Sequence, residues 1–154
     1  MTGKEFIEQY NEGRRDFSGV NLYRVDLTEA NLSGAVLYKA NLTEANLWGS
    51  NLSGANLEEA NLTEANLIGA DLYRADLVKA NLYGADLFGA YLVEANLVEA
   101  NLTGADLTGA VLTEANLEGA VLTEADLFKA NLGKANLSGA DLSGANLWGA
   151  KGLD

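Results

Sequence analysis

From Arg15 to Gly149 the chain places a large apolar residue at every fifth position, with a small apolar residue two places before it and a polar residue between them. The pattern forms 27 consecutive quintets, centred on Phe17, Leu22, Leu27 and so on to Leu147, and only Phe17 departs from leucine. With the central residue called i, position i−2 is alanine everywhere after Val25 except at Ser50. Position i−1 is mostly Asn or Asp, and i+2 is Gly, Glu, Lys or Arg.

A period of five matches neither common element. On an α-helix each residue turns the chain by about 100°, so leucines five apart would scatter around the cylinder and leave no buried stripe. On a single strand, side chains alternate between faces, so every second leucine would meet water. Within one quintet, however, i−2 and i share a face of a short extended stretch, which turns Ala and Leu inward and Asn or Asp outward. Positions i+1 and i+2 must then turn the chain. Thirteen of the 17 glycines stand at i+2, the second central position of a turn, where a type II geometry needs a positive φ. The pattern predicts an all-β solenoid of short sides and corners around an Ala/Leu core, its coils stacked by parallel backbone pairing about 4.8 Å apart. The number of sides per coil does not follow from this reasoning.

The two ends differ. Thr2 with Glu5 forms a capping-box sequence, Phe6, Ile7 and Tyr10 give an apolar helical stripe, and Gly13 can end the helix. A short capping α-helix over residues 4–11 is expected to lie over the first coil, where Val20 and Val25 replace alanine and fill space against it. The expected organisation is a capping segment over 1–14, repeats over 15–149 and a tail over 150–154. The C-terminal end shows no such device, and Gly152 stands where a core leucine would. Trp148 and Leu153 are expected either to fold over the last coil or to meet a second copy.

The stretch ANLTEANLIGADLYRADL resembles the A(D/N)LXX consensus of the pentapeptide-repeat protein family, and the likeness runs through all 27 quintets, nearly nine tenths of the chain. The resemblance implies a right-handed quadrilateral parallel β-helix with four quintets per coil. The chain would then make about 6.75 coils, a rod on the order of 30 Å long. Members that act on DNA gyrase are dimers joined at their C-terminal ends, so the resemblance also implies a homodimer through Trp148 and Leu153. The helix followed by GRRDF is similar to cyanobacterial members.

If four quintets make a coil, outward positions twenty residues apart share a face. The column through Leu27, Leu47 and Leu67 then carries Thr28, Trp48, Ile68, Phe88, Thr108, Phe128 and Trp148 at i+1, which includes both tryptophans and half the phenylalanines. Its i+2 residues are mostly glycine, which leaves the rings uncovered, and Asp86, Asp106 and Asp126 line its i−1 positions. Cross-coil stacking alone would favour aromatic and β-branched residues by roughly 0.2–1 kcal/mol per pair. That is one reading of the column; the other, which confinement to a single column favours, is a protein-binding face or a dimer contact. A second column, with Tyr23, Tyr83 and a run of threonines, reads as a polar β-face. On the column through Leu37 and Leu57, acids outweigh bases, and the fourth is near neutral.

Composition narrows the chemistry. There is no cysteine, histidine or proline. Thiolate nucleophiles, disulfides and the usual neutral-pH general base are therefore absent. A flat column of Asp86, Asp106 and Asp126 supplies too few oxygens for calcium, and an unbroken rod offers no cleft for a carboxylate pair. No catalytic residues, cofactor or metal are expected. The N-terminus shows no signal-peptide core or membrane span, so a cytoplasmic location is expected. The net charge of −12 disfavours direct contact with nucleic acid or anionic membranes. The expected function is a non-catalytic interaction rod with an unknown protein partner. The first alternative, implied by the gyrase-inhibiting and quinolone-resistance members, is mimicry of DNA toward a type II topoisomerase, although no quintet is interrupted by the loops of the latter. The second is a consensus-like or engineered repeat with no partner.

Overall fold

A quintet of the type that fills the middle of the rod uses all five of its backbone N–H groups, as the computed structural model, which describes residues 1–153, shows. Around Leu62, the N–H of Asn61 donates to Ala40 O in the preceding coil, at 2.9 Å. Those of Leu62 and Glu64 donate to Asn81 O and Tyr83 O in the following coil, at 2.7 and 2.9 Å. The N–H of Ala65 closes the corner onto Leu62 O at 3.0 Å. The remaining N–H, on Thr63, is taken by the Asn61 side chain at 3.1 Å. Buried backbone polar groups must be paired, and this arrangement pairs them without any long strand.

The coils join through parallel bridges between residues twenty apart, such as Asn41 to Asn61 and Asp86 to Asp106. Twenty residues hold four quintets, so each coil has four sides. Inside, Ala and Leu fill the section, and from Leu32 to Leu132 every central leucine is buried. Ser50 is the exception in the alanine rows: it is fully buried and its hydroxyl finds no partner.

The corners are tighter than glycine content alone suggests. All 27 i+2 residues hold a positive φ, and in 14 of them the residue is Glu, Lys or Arg, with φ between 53° and 60°. Since φ is positive only at the second central residue, these are type II-like corners rather than the type I′ turns of hairpins. A non-glycine residue there carries a Cβ penalty of about 1 kcal/mol. The fixed amide bonds on both sides of the corner hold it in place. Opposite charges also stack on successive corners: Arg24 with Glu44, Lys39 with Glu59, Arg74 with Glu94, Lys79 with Glu99 and Lys134 with Glu114, at 2.7–3.6 Å.

Helix α1, Gly3–Asn11, closes the N-terminal end. It begins one residue before the sequence places it. The capping box forms in both directions, with Glu5 N–H to Thr2 Oγ1 at 3.2 Å and Thr2 N–H to Glu5 Oε2 at 2.7 Å. The helix ends in a Schellman motif, with Gly13 at φ 101° and Arg14 N–H reaching Gln9 O at 3.0 Å. Phe6 is fully buried, 4.2 Å from the Phe17 ring. Tyr10 gives its hydroxyl to Ser33 O and Arg14 gives Nε to Asp16 O, each at 2.7 Å. These acceptors are carbonyls of the first coil, so the cap covers core and satisfies polar edge together. Val25 is buried against Gly3, as expected, whereas Val20 is only partly covered.

The C-terminal end is open. Leu137, Leu142 and Leu147 are only partly buried, unlike every leucine of the coils before them. Among the described residues, the N–H groups of Leu137, Gly139, Leu142, Gly144, Leu147 and Gly149 have no acceptor. Gly152 lies so close to the Leu132–Gly133 backbone that a Cβ there would stand 2.5 Å from Gly133 N, which accounts for the missing leucine. Leu153 is exposed and does not cover the end.

Candidate functional site

The outward residues are held in place by the Asn or Asp that precedes the central leucine. Its Oδ1 accepts the N–H of residue i+1 in 23 of the 27 quintets, at 2.8–3.4 Å. This is an Asx turn, and it fixes the backbone from which each i+1 side chain projects. Stacked asparagines add a second tie, as where Asn41, Asn101 and Asn136 each donate Nδ2 to the Oδ1 of the asparagine one coil below, at 3.0–3.2 Å. At Asp16, Asp26 and Asp141 the hydroxyl of the Ser or Thr two residues on also donates to the same oxygen. Such hydroxyl bonds from Ser18, Thr28 and Ser143 hold Asp16, Asp26 and Asp141 below the usual carboxylate range.

On this frame the structure brings Trp48, Ile68, Phe88, Thr108, Phe128 and Trp148 into one line. Glu29 N–H meets Trp48 O, Gly49 N–H meets Ile68 O, and the chain of bonds continues to Lys129 N–H on Trp148 O. Trp48 remains 42% exposed, Phe88 50% and Trp148 67%. Only Phe128 and Trp148 stack, with ring centroids 5.1 Å apart and planes at 11°. Ile68 and Thr108 are half-buried and lie between the rings. Asp86, Asp106 and Asp126 stand beside the line in successive coils and cap Phe88, Thr108 and Phe128 through Oδ1. Leu153 lies beyond the last bridge, at Lys151.

Two features escaped the sequence reading. The Asx turn fails at Val36, Tyr91, Val111 and Val121. Tyr91 and Val111 are bridged neighbours on the near-neutral face, and Tyr91 is well exposed there with Tyr73 close in the order of coils. Their signal was an interrupted Asn/Asp column, visible only once that residue is understood as a cap. The second is the distribution of charge along the rod, because no Lys or Arg lies between Lys79 and Lys129 while eight acids do. A shallow groove lies in this region, lined by Val98, Glu99, Glu118, Gly119, Ser138 and Gly139. No helix among the described residues is long and apolar enough to cross a membrane.

The geometry defines a four-sided β-solenoid whose side chains sort into fixed columns. A family model described as Pentapeptide repeats matches it in eight copies, over residues 16–54, 40–77, 80–119 and 120–151. The chain belongs to the pentapeptide-repeat family, whose fold is the right-handed quadrilateral β-helix. Among solved structures it is similar to the pentapeptide repeat protein Rfr23 from the cyanobacterium Cyanothece 51142, with 30% identity, a TM-score of 0.52 and coverage of 93% of this chain and 94% of that one. It is also similar to a trypsin-treated variant of QnrB1, a plasmid-mediated fluoroquinolone resistance protein, at 21% identity and a TM-score of 0.58, covering 88% and 73% of the two chains. HetL, a pentapeptide repeat protein involved in heterocyst differentiation regulation in Nostoc sp. strain PCC 7120, aligns at 30% identity over 99% and 98% of the chains, with a TM-score of 0.39. Comparison with curated proteins finds no match.

Proposed function

We propose that the protein is a non-catalytic interaction rod whose aromatic column, Trp48 to Trp148, contacts a protein partner. The observation that carries this reading is exposure. Trp48 and Phe88 keep 42% and 50% of their surface in water and stack on no ring of the column. Cross-coil stabilisation therefore explains Phe128 and Trp148 but not the other two. A contiguous apolar line flanked by acids on a rigid scaffold suits a partner. The test replaces Trp48 and Phe88 together by serine, both outward residues whose loss leaves the core intact, and compares native-lysate pull-downs. Loss of a specific partner with an unchanged melting curve supports the reading, and an unchanged set of partners from a folded variant refutes it.

Mimicry of DNA toward a type II topoisomerase is favoured by the base-free stretch between Lys79 and Lys129. Of its eight acids, Glu94, Glu99 and Glu114 pair with Arg74, Lys79 and Lys134, which leaves five along about 12 Å of rod, where a duplex carries roughly seven charges. A gyrase supercoiling assay decides it, since absence of inhibition at micromolar protein removes this reading. The open coil gives a second copy a place to dock, with Trp148 and Leu153 at the contact. Light scattering checks that assignment: a dimer that dissociates in Leu142→Glu supports it, and a monomeric parent protein rejects it.

A further inference from the structure

We infer that the aromatic column is a groove for a basic polyproline-II segment, a run of Pro-x-x repeats flanked by arginine. The inference rests on the partner-binding reading of this column and adds the chemistry of the partner.

Spacing is the first argument. Trp48, Phe88 and Phe128 are forty residues apart in sequence, which is two coils, or about 9.6 Å of rise. Ile68 and Thr108, whose side chains are shorter than the rings, alternate with them along the column, so the groove we infer has a hollow at each. A polyproline-II helix repeats every three residues, about 9.3 Å, and stays in step with such hollows to within about 0.6 Å over two periods. A strand presents the same face every 6.6–6.8 Å or so and an α-helix every 5.4 Å, and neither keeps that step. Ridges of aromatic rings also suit proline, whose extended helix is preformed and loses little entropy on docking.

Charge is the second. Asp86, Asp106 and Asp126 each use Oδ1 to cap a backbone N–H, a task asparagine performs equally well elsewhere in the rod. Stacked asparagines also bond to one another between coils, whereas stacked carboxylates repel. Three consecutive aspartates thus weaken the rod and contribute nothing to its fold that asparagine lacks. What they add is a negative line along the hollows, met by a base at its end, where Lys129 lies 4.9 Å from the Phe128 ring centroid. Arginine complements it twice, by pairing with the carboxylates and by lying over the rings.

The probe is a fluorescein-labelled peptide of three Pro-x-x repeats with an arginine at each end, titrated against the intact protein by anisotropy. Both tryptophans lie on the column, so their emission gives a second readout. Saturable binding is expected that weakens about tenfold or more with Phe88→Ser, and about threefold or more with Asp106→Asn, which keeps the backbone cap. A peptide of equal charge with alanine in place of proline should bind about tenfold more weakly. Equal binding of the alanine peptide, indifference to Phe88→Ser, or no binding of the proline peptide overturns the inference. If the Trp48 and Phe88 double variant still loses its partner in the pull-down, only the polyproline assignment falls. If it loses none, the partner-face reading falls with it.

Discussion

Thr28 donates both its backbone N–H and its hydroxyl to one oxygen of Asp26, Oδ1, at 3.1 and 2.6 Å. The same relationship, with or without the hydroxyl, recurs along the rod and gives position i−1 its identity. It can be tested by removing a cap and by adding one. Asn56→Ala leaves the N–H of Glu58 without its acceptor and should cost about 1 kcal/mol. Val36→Asn supplies a cap for Tyr38 in a column where Asn56 is the bridged neighbour above, and should gain about 0.5–1 kcal/mol. Urea denaturation of the two variants should move the midpoint in opposite directions.

The charged corners give a second pair of opposed outcomes. Glu64 holds φ at 54° and takes part in no ion pair among the described residues. Glu64→Gly should therefore stabilise by roughly 0.5 kcal/mol or less, the relief of a left-handed Cβ less the added freedom of the unfolded chain. Arg74→Gly relieves the same strain but breaks the 2.7 Å pair with Glu94. Because an exposed pair contributes about 0–1 kcal/mol, its gain should be the smaller, as thermal melts of the two variants would show.

Ser50 is the third site. Its hydroxyl is fully buried and unpartnered in a row otherwise made of alanine. Removing an unsatisfied buried hydroxyl of this size leaves almost no cavity and lifts a penalty of about 1–3 kcal/mol. Ser50→Ala should raise the melting temperature, while Ala70→Ser, the same change one coil on, should lower it.

Acid should weaken the rod through particular carboxylates. Asp16, Asp26 and Asp141 are shifted down by hydroxyl and backbone N–H donors, and Glu44 is shifted down first by its bond to Arg24. The folded state therefore holds these groups ionised where the unfolded chain has begun to take up protons. Their stabilisation is present above the ordinary carboxylate range of about 4 and is lost as pH falls through their lower folded values. Melting temperature should drop below about pH 4, and less steeply in a variant carrying Asp16→Asn, Asp26→Asn and Asp141→Asn together.

The fold was largely legible in the chain because the core is written in two letters at fixed spacing. Ala at i−2 and Leu at i can share an interior only if the intervening residue points away and the next two turn, and the bridges twenty residues apart agree with the four-sided coil that the family resemblance implied. Thr2, Glu5 and Gly13 likewise carry local signals strong enough to place α1 within one residue. The role of Asn and Asp was not legible. A polar residue at i−1 fits an outward position equally well whether it caps a backbone N–H or merely meets water, so the breaks at Tyr91 and Val111 carried no meaning. The charged corners were hidden for a similar reason, since Glu, Lys and Arg have no intrinsic preference for positive φ and adopt it here because of bonds to neighbouring coils. The aromatic column was visible as a register, but which rings stay uncovered depended on stacking that only coordinates reveal.

The open last coil has a kinetic side. Every bridge between coils spans the same twenty residues, so adding a coil closes a loop of constant, modest entropy however long the rod has become. Helix α1 and the first coil leave a growing chain before the coils that follow them, and each later coil meets a finished template. Assembly can thus follow the order of synthesis, with the capped first coil as a template and the most recent coil as the moving front. The rod should fray from its open coil backward, a coil at a time, so that the coil ending at Gly149 is the first to exchange its amide protons.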